Sequence, residues 1–77
     1  MITHSFDVTP DDANDLSPNR VTALQAGGAG DVVVILEKDD DLTTRTFTLA
    51  AGEILQGFVI RRVLATGTSA TSIVAFY

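Results

Sequence analysis

The 77-residue chain has no cysteine, no tryptophan, one histidine and two prolines. Domains of this size usually supplement a thin core with disulfides, a structural metal or oligomerisation. The missing cysteines exclude the first, and a lone histidine without thiolates gives no zinc ligand set. Self-association is the route left open, and no metal or other cofactor is expected. Aromatic residues are also few, with four Phe and one Tyr.

Cations are scarce. Five Lys and Arg stand against ten Asp and Glu, a net charge of -5. Binding a phosphate backbone requires a basic stripe that displaces counterions, so no nucleic-acid partner is expected. The same balance opposes anionic membrane surfaces. No apolar run approaches the roughly 20 residues of a spanning helix. The opening Met1-Ile2-Thr3-His4-Ser5-Phe6-Asp7 has neither the basic nor the apolar region of a secretory signal, which predicts a protein made in a cytoplasm.

What is abundant is β-branched: ten Thr, eight Val and five Ile. These residues lose side-chain freedom in helices and fit a pleated surface. Only residues 11–16, between Pro10 and Ser17-Pro18, suit a short helical turn. Residues 1–19 read as an acidic arm and loop, with an arm or edge strand over 2–8. Residues 20–77 read as a β domain. Strands are expected over 20–26, 32–38, 42–49, from 54 or 58 to 65, and 72–77. The breaks are Gly27-Gly28-Ala29-Gly30-Asp31, Asp39-Asp40-Asp41, Ala50-Ala51-Gly52-Glu53 and the small-residue loop 66–71. Turn signals every 8–12 residues predict an all-β fold, a small antiparallel β-sandwich or jelly-roll-like barrel of five to six short strands.

Alternation assigns Val33, Ile35, Phe47, Leu49, Phe58, Ile60 and Val74 to the core, with at least two fully buried side chains among residues 32–36. Gly30 and Gly67 are expected at positive φ or where no Cβ fits. The apolar end, Ile73-Val74-Ala75-Phe76-Tyr77, is either an ordinary closing strand or one completed by a neighbouring subunit. Arg61 and Arg62 are consecutive, so regular alternation sends them to opposite faces. Either one points inward and pairs with a buried carboxylate, or one pairs across a subunit interface, or both snorkel to water from an edge strand.

Three motifs resemble sites without meeting their requirements. Asp39-Asp40-Asp41 lacks the alternating ligands and distal Glu of a calcium loop. Gly27-Gly28-Ala29-Gly30 is followed by Asp31 and a β-branched strand, where phosphate binding needs a helix N-terminus. His4, Ser5, Asp7 and Asp11 hold triad-type groups on one arm without rigid support. No catalytic residues are assigned, and the chain is read as a non-enzyme.

Gly28-Ala29-Gly30-Asp31-Val32, then Ala51-Gly52 with Ile54-Leu55, then residues 62–71 and the terminal strand 73–77 together resemble the small spike-base proteins of tailed bacteriophages, prophages and gene transfer agents. The resemblance spans residues 20–77, and its most specific piece is Val63-x-Ala-Thr-Gly-Thr-x-Ala-Thr. It implies a virion structural protein: a spike-base or vertex decoration subunit linking capsid and fibre. Its partners would be capsid or portal-proximal virion proteins, a spike or fibre protein, and its own copies, with a pentamer favoured. A carbohydrate- or receptor-binding module of a phage fibre or tail is the alternative, opposed by the scarcity of aromatic side chains for sugar stacking. Ile2, Phe6, Arg61, Arg62, Ile73, Phe76 and Tyr77 are the residues expected at the oligomer interface.

Overall fold

The β-branched segments form strands, and strands supply all the regular structure of the described residues. A computed structural model describes residue 2, residues 4–16 and residues 21–77. The expected strand start at Arg20, the stop at Ser17-Pro18 and the loop end at Asn19 lie outside them. Strands β1 (Ser5–Asp7), β2 (Val21–Gly28), β3 (Gly30–Leu36), β4 (Arg45–Leu49), β5 (Ile54–Val63) and β6 (Thr71–Phe76) make one sheet, ordered β1-β6-β2-β5-β3-β4. Every neighbouring pair is antiparallel. The fold is all-β, without helices among the described residues, as the composition predicted.

The segment expected as a helical turn has its peptide groups engaged elsewhere. Asp11 N–H donates to Val63 O and Leu16 N–H to Arg61 O, which lays residues 11–16 along β5. The Asp11 carboxylate accepts from Ala13 and Asn14 N–H, holding a tight bend in place of a helix. The glycine-rich segment also departs from expectation. β2 runs through Gly28 and β3 begins at Gly30, and because β5 lies between them the connection is no hairpin.

In the run 32–36, Val32, Val34 and Ile35 are fully buried. Val32 and Val34 join Leu24, Ile60, Ile73 and Ala75 in the main apolar cluster, while Ile35 lies outside that cluster. The run is therefore covered on both faces, as a continuous apolar strand should be. Ile35, Leu49 and Ile60 are buried as expected, and Phe47 is half-buried against the cluster. Three core assignments need correction. Val33 and Val74 are only half-buried, because their neighbours Val32, Val34, Ile73 and Ala75 point inward; with a period of two, a one-residue slip exchanges the faces. Phe58 is 38% exposed. Val21 lies opposite Ile60 and Ala23 opposite Gln56, so β5 holds two residues more than the β2 segment it faces, and Phe58 lies on that outward bulge beside Gly57 at φ 93°.

The two glycine assignments hold. Gly30 has φ 156°, and a Cβ there would lie 2.6 Å from Ala70 N. Gly67 has φ 86°, and a Cβ would meet Val33 Cγ2 at 3.0 Å.

The packing predicts unequal costs along one strand. Ile60→Ala should destabilise the fold by about 2–5 kcal/mol, and Phe58→Ala by clearly less. Urea unfolding measures both, and equal losses would contradict the bulge. Gly30→Ala should lower the unfolding midpoint, because the new methyl meets backbone that has no room to move.

Candidate functional site

The two arginines singled out in the sequence occupy one place. Ile35 lies opposite Arg62 whereas Leu36 lies opposite Ile60, so Arg61 is an extra residue in β5 relative to β3. The extra residue breaks the alternation that would have separated the side chains. Both guanidiniums reach Asp15 Oδ1, Arg61 through Nη1 at 3.0 Å and Arg62 through Nε at 2.8 Å. Arg61 Nη1 also pairs with Asp41 Oδ1 at 2.9 Å, and its Nη2 donates to Asp39 O at 2.8 Å. Arg62 Nη1 donates to Asp12 O at 3.3 Å. One strand thereby clasps the N-terminal segment and the β3–β4 loop together. Within the chain, the two arginines share one carboxylate and do not divide between the two faces of the sheet.

Its carboxylate partners carry no sequence signal beyond acidity. Asp12 accepts from Ala65 N–H at 2.8 Å, Thr66 N–H at 2.9 Å and the Thr66 hydroxyl, tying the N-terminal segment to the loop after β5. The Thr66 hydroxyl, then the backbone donors, hold the Asp12 carboxyl below the usual carboxylate range. In the Asp-rich loop, Asp40 accepts from the Thr43 hydroxyl and Leu42 N–H, and these bonds lower its pKa too. Asp11 is lowered by the Asn14 amide and Ala13 N–H. The hydrogen bond to Asp41, then that to Asp15, holds Arg61 more firmly protonated. The Asp39 carbonyl and the Asp41 carboxylate both accept from Arg61 while the Asp40 carboxylate is turned to Thr43 and Leu42, so the loop gathers no three carboxylates for a metal. Among the described residues, no cluster of three metal-ligating side chains and no pocket is present.

The remaining interface candidates lie around β1 and β6. Ile2 is 45% exposed, and Ile73 is buried in the chain's own core. Phe76 is half-buried on β6. Tyr77 stacks on His4 at 5.0 Å and meets Phe6 edge-on at 5.9 Å. The terminal strand β6 is paired on both sides, by β1 and β2.

These contacts fix two measurable responses. Asp11, Asp12 and Asp40 bind a proton less readily folded than unfolded. Their stabilisation is complete above the unfolded value of about 3.9 and is lost as pH falls toward the lower folded values. The melting temperature should drop below about pH 4, and Asp12→Asn should shallow that drop; a melting temperature constant from neutral to strongly acidic pH would contradict the assignment. Asp15→Asn should lower the melting temperature more than Asp41→Asn, because Asp15 hydrogen-bonds both arginines from a 35% exposed position, whereas Asp41 is 67% exposed and reaches Arg62 only at 3.8 Å.

No family model matches the chain, and no curated protein matches it. Among solved structures, it is similar to a chain in a structure of the capsid of a native gene transfer agent particle, computed with C5 symmetry. The two are 36% identical with a TM-score of 0.82, over 100% of this chain and 84% of that one. The likeness includes the N-terminal segment that the clasp fastens to β5, as well as the sheet. The chain belongs to the family of that gene transfer agent capsid chain.

Proposed function

We propose that this chain is a structural subunit of a phage-like particle: a spike-base or vertex decoration protein that self-associates as a ring of five and joins the capsid to a fibre. Full-length similarity to a chain of a gene transfer agent capsid structure carries this reading. The C5 symmetry of that structure supports five copies, a number that size arguments leave open. A small β domain without disulfides gains stability from burying surface against its own copies. Its role on this reading is adhesion between particle components, not catalysis. Synthesis in the host cytoplasm precedes incorporation into the particle.

Quantitative mass spectrometry of purified particles tests the reading. The chain should be retained through density-gradient purification in copy numbers that are multiples of five, and particles from a strain lacking it should lose their spikes in electron micrographs. Absence of the chain from purified particles would overturn the proposal.

A further inference from the structure

We infer that neighbouring copies join edge to edge, the free edge of β4 in one copy pairing antiparallel with the free edge of β1 in the next. The inference rests on the ring reading above and names the surfaces that close the ring. Among the described residues, β1 and β4 end the sheet and pair on one side only. Exposed edges are normally blunted by proline, lysine or inward charge. β4 is Arg45-Thr46-Phe47-Thr48-Leu49, without proline and with charge only at its first position. A ring needs a heterologous contact between two different surfaces, which the two ends of the sheet supply; β4 paired with itself would close a two-fold dimer. Strand direction alternates across six strands, so β4 runs opposite to β1. A rotated copy therefore offers its β1 antiparallel to β4, with the same face inward.

Backbone hydrogen bonds set the register. Val33 O accepts from Leu64 N–H, Asp31 O accepts from Ser69 and Ala70 N–H, and Val33 N–H donates to Thr68 Oγ1. Asp31 and Val33 thus turn away from β4, while Gly30, Val32 and Val34 face Leu49, Phe47 and Arg45. The backbone groups of Thr46 and Thr48 point outward. On β1, His4 exchanges both bonds with Tyr77, and Val8 N–H donates to Ile73 O, so Ser5 and Asp7 point outward. Placing Thr46 opposite Asp7 and Thr48 opposite Ser5 pairs all four outward residues and sets residues 45–49 against 8–4. Phe47 then meets the neighbour's Phe6. Both are half-buried against their own cores, so the apolar face continues across the junction. Phe47 already contacts the exposed Phe58 at 5.5 Å, and the incoming Phe6 extends that aromatic group.

The absence of native cysteine makes disulfide trapping clean. Bonded antiparallel pairs have Cα atoms about 5.5 Å apart, within disulfide range. Mild oxidation of a chain carrying Thr46→Cys and Asp7→Cys should give a covalent ladder ending at five chains, as should Thr48→Cys with Ser5→Cys. Each single variant should stay unlinked. Native mass spectrometry of the reduced proteins runs in parallel. An intact oligomer that never cross-links in either pair would overturn the edge pairing and leave the ring reading standing. Dimers from Thr46→Cys alone would replace it with a two-fold β4 contact, and a folded monomer at every concentration would overturn both.

Discussion

Strand β5 is the hydrogen-bonded link between the two halves of the sheet. It pairs with β2 on one side and β3 on the other, joining β1-β6-β2 to β3-β4. Serving both neighbours requires two irregularities within ten residues. The first, around Gly57, turns Phe58 outward; the second, at Arg61, brings two consecutive arginines to one carboxylate. Straightening β5 would return one arginine to the apolar face, where its charge would need a buried partner. The clasp that fastens the N-terminal segment is thus a consequence of the pairing geometry.

That dependence separates what was legible in the sequence from what was not. β-branched density and turn spacing are local signals, and they located strands β2 to β6 to within a few residues. Long apolar alternation correctly buried Ile35, Leu49 and Ile60. Bulges leave a weaker trace, because they depend on the length of a strand relative to two neighbours. Gly57 was the one hint of the first, and nothing local marked the second. Val33 and Val74 were misplaced for a related reason: in runs such as Val32-Val33-Val34, hydrophobicity alone does not say which residue faces the cluster. Gly27 and Gly28 read as a turn, yet their lack of side chains serves close approach to β6, where a Cβ on Gly28 would fall 1.9 Å from Thr71 Oγ1.

The clasp was legible in part. Arg61 and Arg62 stood out because regular alternation could not satisfy both, but their partners Asp15 and Asp41 lie 46 and 20 residues from Arg61. Only folding brings them together. The resemblance of residues 20–77 to spike-base proteins left the acidic arm unaccounted for, whereas the full-length capsid likeness covers it. The arm's role agrees with that coverage, since Asp12 and Asp15 fasten it to β5 and to the loop after it.

Among the described residues the sheet ends in two strands that are paired on one side only, which suits a protein completed by its neighbours. On the function proposed above, five copies form a ring at a particle vertex. Cryo-electron microscopy of the purified particle, reconstructed without imposed symmetry at one vertex, tests it most directly. Five copies of the six-stranded sheet are expected around the vertex axis, beneath the fibre density. Finding the sheet in a single copy, or away from the vertices, would contradict it.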